Sequence, residues 1–131
     1  MIVLDTSAFV EFLVGRDAVA EQIRDLAAGQ QLAAPHALDL ECTSAFRGLV
    51  LGGKLPAAEA ERALGLLSRM KIRRYAHVAL LPRIWQLRHN MWPYDAATVA
   101  LSEALSSDLV TIDAKLARVP GILCTVHMIS A

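Results

Sequence analysis

The chain has 131 residues, of which 55% are hydrophobic, and its 13 basic and 13 acidic side chains leave no formal net charge. This length is typical of one domain and is sufficient to bury a hydrophobic core without disulfides or a structural metal. The balanced charge excludes a polycationic nucleic-acid binder, so any such binding must come from local basic patches or bound metal. We expect residues 1–131 to form a single domain.

In chain order, apolar runs predict strands, and apolar residues that repeat every three to four positions predict helices. The predicted elements are a strand at 1–4, helices at 7–14 and 18–28, a strand at 31–34, helices at 36–51 and 57–70, a strand at 72–75, helices at 81–89 and from 95 to about 105, a strand at 109–112, a helix at 114–118 and a strand at 122–129. This alternation predicts a three-layer α/β/α sandwich with a mostly parallel central sheet.

The cysteines and the apolar start of the chain indicate its compartment. Cys42 and Cys124 lie in apolar stretches without a CxxC or Cys/His ligand pattern, which favours small core residues over a redox or zinc site. Residues 1–14 contain Asp5 and Glu11 and lack a basic start, which is unlike a secretory signal peptide. No apolar run reaches the roughly 18 residues that a membrane span needs. We expect a cytoplasmic protein without membrane contact.

Two acids follow predicted strands. Asp5 closes the first strand, and Asp113 closes the strand at 109–112. Because ligands of open α/β sheets bind beyond the carboxyl ends of the strands, parallel neighbours would place both carboxylates at one edge. Two acids at the ends of apolar strands are costly to hold unless something positive lies between them. A hydroxyl accompanies each acid, namely Thr6 or Ser7 beside Asp5 and Thr111 beside Asp113.

Three further acids lie at or within predicted helices. Asp95 follows Pro93-Tyr94 and opens a helix, so it is either a site residue or an ordinary helix N-cap. Glu41 lies inside an apolar helix, where it belongs either to the site or to a solvated face. Asp39, two residues earlier, points to the other side of that helix. At most one of Asp39 and Glu41 can therefore face the site, and the helix pattern does not decide which.

This set of acids predicts metal chemistry. Three or four carboxylates without a matching histidine or cysteine set suit Mg²⁺ or Mn²⁺. These ions bind phosphate oxygens and activate water for attack on a phosphodiester. Without metal, the crowded acids would repel one another and raise their own pKa values. The motifs GxxxxGK[ST], GxGxxG and HExxH and a serine nucleophile elbow are all absent from the sequence.

Basic residues near the acids are the predicted contacts with a phosphodiester substrate. The densest basic run, which consists of Arg69, Lys71, Arg73 and Arg74, enters the strand at 72–75 at its start and would lie at the far edge of a parallel sheet. Its charges also suit a solvated helix end. The preferred candidates flank the acids and are Lys115, Arg118, Arg88 and Trp92. Trp92 either offers a face to an unstacked base or belongs to the core.

Four segments together carry a family resemblance. They are MIVLDTSAFVEFL at the start, the helix that contains Glu41, YDAATVALSEAL from Tyr94 and LVTIDAKLA from Leu109. Their order and spacing resemble the PIN domain over essentially the whole chain, and most of all the VapC-type toxins of bacterial toxin–antitoxin pairs. The resemblance implies four catalytic and metal-site acids, which are Asp5, Glu41, Asp95 and Asp113. It thereby selects Glu41 over Asp39 and gives Thr6, Ser7 and Thr111 a supporting role.

The resemblance also implies an activity and partners. It implies an endoribonuclease that depends on Mg²⁺, with Mn²⁺ as the alternative ion, a homodimer, and a VapB-type antitoxin that blocks the site. The stretch from Lys54 to Pro93 matches only in general character, so the RNA target cannot be inferred. One competing hypothesis is a phosphotransferase with a strand-end aspartate, since VLDTS is similar to a haloacid-dehalogenase start, although that chemistry needs an acid where Ser7 stands. The other is a non-catalytic RNA-binding module of the same fold, which would have no reason to gather four acids.

Overall fold

The computed structural model describes residues 1–130, and its strands form one parallel sheet in the order β3-β2-β1-β4-β5. The strands are β1 (Ile2–Leu4), β2 (Leu32–Pro35), β3 (Ile72–Tyr75), β4 (Asp108–Thr111) and β5 (Val126–Met128). The helices are α1 (Thr6–Val14), α2 (Ala18–Ala27), α3 (Leu38–Leu51), α4 (Ala57–Arg69), α5 (Leu81–Gln86), α6 (Pro93–Ala104) and α7 (Ala114–Ala117), and a 3-10 turn (Val78–Leu80) precedes α5.

Helices cover both faces of the sheet. Helices α1 to α4 pack on one face, where Phe9 and Phe46 are fully buried against side chains that include Leu4. Helices α6 and α7 pack on the other face against Val3, and Leu87, at the end of α5, joins them. Successive residues of β1 point to opposite faces, so this short apolar strand contributes to both cores. The predicted three-layer α/β/α sandwich is confirmed, and the sheet is parallel throughout the described residues.

The strand order places a crevice between β1 and β4. From β1 the chain moves outward to β2 and β3, and it then crosses back to β4 on the other side of β1. Leu4 pairs with Val110, and the Asp5 amide donates to the Val110 carbonyl at 3.0 Å. Ligands of open α/β sheets bind at such a reversal, beyond the carboxyl ends of the strands. Asp5 follows β1 at this point, and Asp113 lies two residues beyond the end of β4.

Four predicted boundaries differ from the structure by two or more residues, and the first is the start of α3, which is Leu38 and not residue 36. Strand β5 covers only Val126–Met128, because the Leu123 amide donates to a Glu103 carboxylate oxygen at 2.7 Å and not to the sheet. Helix α5 ends at Gln86, three residues earlier than predicted, where the backbone tightens into a turn. Helix α6 begins at Pro93 and not at Asp95, since proline is well suited to the first helical position.

Both cysteines pack as predicted. Cys42 is buried in the core beneath α3, and burial raises the pKa of its thiol to about 12. That thiol therefore stays protonated, and unreactive, at neutral pH. Cys124 is half-buried against the second core. Across residues 1–130, no helix combines the length and the apolar character that crossing a membrane requires.

Candidate active site

Asp5 is held rigidly at the end of β1. Its side chain caps α1, because the Oδ1 atom accepts hydrogen bonds from the Ala8 amide at 2.8 Å and from Ser7 Oγ at 2.6 Å. The Oδ2 atom accepts a hydrogen bond from Thr111 Oγ1. Only 5% of Asp5 is exposed. Both carboxylate oxygens are thus fixed by the protein, and Asp5 has little freedom to turn away.

Burial makes the ionised form of Asp5 costly. Desolvation raises the pKa of Asp5, and the negative charge of Asp113 adds to this effect. The hydrogen bonds from Ser7, Thr111 and the Ala8 amide oppose the rise without cancelling it. A positive charge close to Asp5 would therefore favour its ionised form.

Two hydroxyls connect the ends of β1 and β4. Thr111 donates to Asp5 and accepts a hydrogen bond from the Asp113 amide at 2.9 Å. Ser7 Oγ accepts from the Ile112 amide at 3.3 Å. Asp113 in turn caps α7 through a 2.9 Å hydrogen bond from the Lys115 amide. The position of the Asp113 backbone is therefore coupled to that of Asp5 through the Thr111 side chain.

Glu41 reaches the same region from α3. This helix starts just after β2, the neighbour of β1, so its first turn lies at the same edge of the sheet. Burial raises the pKa of Glu41, as do the charges of Asp95 and Asp5, whereas the nearby Thr6 hydroxyl lowers it. These effects show that Glu41 shares an electrostatic environment with both acids.

Asp39 faces the other way. Its two carboxylate oxygens accept hydrogen bonds from Nε and Nη2 of Arg74, each at 2.8 Å. Residues two apart on a helix point in widely different directions, which explains the contrast with Glu41. The expectation that only one of the two acids can lie beside Asp5 is confirmed, and that acid is Glu41.

Asp95 lies in the first turn of α6. The N-cap of this helix is Trp92, so the interpretation of Asp95 as an N-cap is wrong. Asp95 is half-buried, and burial together with the charges of Asp5 and Asp113 raises its pKa. Pro93 occupies the first helical position and so moves the helix start upstream of the acid. The Asp95 side chain is therefore not used to cap its helix.

The four acids fit a hard divalent cation in their chemistry. Burial and like charge raise the pKa values of Asp5, Glu41 and Asp95, and within residues 1–130 no cationic side chain is among the groups that shift them. The atoms that these acids could offer to a metal ion are all carboxylate oxygens, which are the ligands that Mg²⁺ and Mn²⁺ prefer. As they stand, no three His, Cys, Asp or Glu side chains of the described chain converge on one point. Coordination by several acids at once therefore requires side-chain rotation, for which Glu41, Asp95 and Asp113 are sufficiently exposed.

The predicted RNA contacts lie at two separate places in the fold. Trp92 is 78% exposed, so the alternative that it belongs to the core is wrong. With Trp85 and Arg88 it lines a cleft of about 810 Å³, in which the Arg88 guanidinium lies 4.5 Å from the centre of the Trp85 ring. Lys115 and Arg118 are exposed at the two ends of α7, next to Asp113. All four predicted side chains are accessible to a ligand.

The dense basic run has the predicted location. Strand β3 is parallel to β2, so Lys71 and the start of the strand lie at the edge of the sheet opposite Asp5. Arg74 is paired with Asp39. Arg69, Lys71 and Arg73 are exposed, as expected of a solvated helix end and an edge strand.

The sequence analysis did not single out Tyr94. Tyr94 is 61% exposed and lines a second cleft, of about 560 Å³, which we call the Tyr94 cleft. The residues that line it are Thr6, Ala37, Leu40, Glu41, Ser44, Ala45 and Tyr94. One sequence signal could have identified Tyr94. It lies between Pro93, which starts a helix, and the proposed site acid Asp95, where few core side chains are available to bury an aromatic ring.

Comparisons with known proteins agree with this geometry. Residues 2–122 match the PIN domain family. Ribonuclease VapC9 of Mycobacterium tuberculosis is 39% identical over 129 residues, which are 98% of this chain and 98% of that protein. The crystal structure of Mycobacterium tuberculosis VapC20, described as a sarcin-ricin loop cleaving toxin, has a TM-score of 0.68 at 17% identity and covers 94% of this chain and 97% of that one.

A toxin–antitoxin complex from Klebsiella pneumoniae has the same fold, with a TM-score of 0.66 at 19% identity and coverage of 98% of this chain and 97% of that one. The family match and the identity with VapC9 extend over nearly all of the elements that position the four acids. The competing similarity to haloacid dehalogenases depends on the short segment around Asp5 alone. The chain therefore belongs to the PIN domain family and is a relative of the VapC ribonucleases within it.

Proposed function

We propose that this chain is a divalent-metal-dependent endoribonuclease and the toxin of a toxin–antitoxin pair. The observation that supports this most strongly is the group of four acids at the reversal of strand order, namely Asp5, Glu41, Asp95 and Asp113. No cationic side chain of residues 1–130 is among the groups that shift the pKa values of the first three. The identity with VapC9, whose name describes a ribonuclease, supports RNA as the substrate. The whole chain serves as one nuclease domain in this proposal.

The four acids have different tasks in the proposal. Asp5 is the fixed ligand, because Ser7, Thr111 and the Ala8 amide already hold its oxygens. Asp95, Glu41 and Asp113 are the adjustable ligands, which rotate toward the ion. Thr6, Ser7 and Thr111 are supporting residues that orient carboxylates by hydrogen bonding or proximity.

The proposed cofactor is Mg²⁺, with Mn²⁺ as the alternative. When bound, such an ion neutralises phosphate oxygens and lowers the pKa of a water molecule that attacks the phosphodiester. The acids contribute the negative charge that holds the ion, and burial of Asp5 limits its screening by water. The same acids repel RNA in the absence of metal, since the phosphate backbone is also anionic.

The proposed partners and location follow from the family. The toxin–antitoxin complex of a structural neighbour supports an antitoxin as the partner. A VapB-type antitoxin that covers the acid site is what the family resemblance implies. The homodimer implied by the family resemblance stays a prediction, as does the cytoplasmic location.

Expression in a bacterial host tests the proposed function. We expect induction of the chain to arrest growth, and sequencing of RNA ends to reveal new cuts that Asp95→Asn does not produce. Co-expression with the protein encoded by the neighbouring gene should relieve the arrest, and the two proteins should co-purify. Growth arrest without new RNA ends would contradict the ribonuclease assignment. Relief of the arrest by a protein that does not bind the chain would contradict the proposal that this protein is its antitoxin.

We expect the RNA to run past α7 and not along β3. Lys115→Ala with Arg118→Ala should weaken RNA binding and flatten its dependence on salt, because each lost phosphate contact lowers the slope by roughly one. Lys71→Ala with Arg73→Ala is the matched control, since both residues are exposed and neither is in an ion pair within the described chain. The measurement is the RNA dissociation constant as a function of salt concentration. Weaker RNA binding by Lys71→Ala with Arg73→Ala alone would place the RNA at the edge of the sheet opposite the acids.

A further inference from the structure

The Tyr94 cleft opens directly beside the acid cluster. Helices α1, α3 and α6 form its walls through Thr6, Glu41 and Tyr94, and each of these residues is itself a proposed site residue or adjoins one in sequence. The cleft volume of about 560 Å³ lies in the range of pockets that hold small molecules. A ligand at the acids would therefore have a neighbouring space for one further group.

The walls of the cleft suit a flat, uncharged group. Leu40 is 77% exposed and Tyr94 is 61% exposed, so two large apolar side chains lie outside the cores. No lysine, arginine or histidine is among the lining residues, so the cleft offers nothing that would attract a phosphate. Ser44 adds a hydroxyl, which can donate or accept a hydrogen bond at the edge of a ring.

We infer that the Tyr94 cleft is a nucleobase subsite, which takes one unstacked base of single-stranded RNA next to the bond that is cut. The inference rests on the proposed ribonuclease function. Each phosphate of RNA is joined to a base through one ribose, so a phosphate held at the acids places a base close to Thr6 and Glu41. The ring of Tyr94 supplies the stacking face, as aromatic side chains do in proteins that bind single strands.

This geometry selects single-stranded RNA over a duplex. In an A-form duplex the bases are stacked and paired, and the deep major groove cannot be read by side chains. A base can enter a cleft only where the strand is already open, as in a loop, bulge or end. Continuity with the acids also favours RNA over a second protein chain, because Glu41 belongs both to the cleft and to the acid site, and each nucleotide joins a flat ring to a phosphate.

The test is cleavage of a pool of short randomised single-stranded RNAs, with Mg²⁺ and with chelator, followed by sequencing of the cut ends. We expect a base preference at one position beside the cut. Tyr94→Ala should lower kcat/KM by about 5- to 150-fold and remove that preference, which is the effect of losing one stacked base. Tyr94→Phe should retain both, since it keeps the ring. Leu51→Ala, which removes another exposed apolar side chain of α3, should match the wild type.

A second measurement separates stacking from a general loss of structure. An abasic nucleotide at the preferred position should slow wild-type cleavage to about the rate of Tyr94→Ala, and it should slow Tyr94→Ala no further. Metal-dependent cleavage that is unchanged in Tyr94→Ala would overturn the nucleobase subsite and leave the proposed function intact. A changed oligomeric mass with an unchanged base preference would also overturn it, in favour of a second copy in the cleft. Absence of cleavage by the wild type would overturn the proposed function itself.

Discussion

Asp5→Asn and Asp95→Asn are each expected to lower the rate of RNA cleavage more than about 100-fold while the protein stays folded. Replacing the outer partners of metal ligands already costs 10–100-fold, and these substitutions remove the anionic ligand itself. Asparagine has nearly the shape of aspartate and retains an oxygen that can accept the Ala8 amide hydrogen bond, so the cap of α1 survives. The measurements are the cleavage rate of an RNA substrate and the circular dichroism spectrum of each variant.

Helix α3 supplies a matched control for this prediction. Glu41→Gln should lose cleavage as Asp95→Asn does, whereas Asp39→Asn should leave it nearly unchanged, because Asp39 faces Arg74 on the other side of the helix. Excess chelator should stop the wild-type enzyme, and Mg²⁺ or Mn²⁺ should restore it. An equal loss of RNA cleavage in Asp39→Asn and Glu41→Gln would contradict the assignment of Glu41 as a metal ligand. Full cleavage activity in excess chelator would contradict the metal site itself.

Divalent metal is expected to raise the thermal stability of the wild type by roughly 5–15 °C at saturation. An ion that binds only the folded state adds about 2.7 kcal/mol at a concentration of 100 times its Kd, and a protein of this size gains several degrees per kcal/mol. Asp95→Asn should lose most of this gain. In chelator, however, Asp95→Asn should melt above the wild type, because it removes a carboxylate whose charge is disfavoured by burial and by repulsion from Asp5 and Asp113.

The pH dependence in chelator provides the corresponding check. The pKa of Asp95 is raised in the folded protein, so the ionised carboxylate destabilises that state. This penalty is absent below the unfolded-state pKa near pH 4, and it grows as pH rises toward the higher folded-state pKa. The melting temperature of the wild type should therefore fall relative to that of Asp95→Asn as pH rises from about 4 to 7. Parallel curves for the two proteins would show that the ionised Asp95 carboxylate does not destabilise the folded state.

The strands and the edge at which the acids meet could be predicted from sequence. Apolar runs that end at Asp5 and just before Asp113 leave few alternatives, since parallel strands buried on both faces are nearly continuous hydrophobic runs. The alternation of strands and helices then placed both ends on one edge of the sheet. For Glu41 the residues left two options, and the family resemblance was needed to choose.

Features that depend on tertiary contacts could not be predicted. Tryptophan is commonly buried, so nothing in the sequence showed that Trp92 would be exposed. The late start of the last strand depends on a hydrogen bond from the Leu123 amide to Glu103, twenty positions away in the chain. The Tyr94 cleft likewise combines residues from three helices, and no local pattern reports their convergence.

The double use of Asp5 and Asp113 has an evolutionary consequence. Each side chain is a proposed metal ligand and also the cap of the helix that follows it. Asparagine caps helices as well as aspartate does, and the codons of the two amino acids differ by a single G-to-A transition. Under the proposed function, one point mutation at either position is therefore expected to remove a metal ligand and to leave the following helix capped. Loss of cleavage and loss of the fold are thus separable by a single base change.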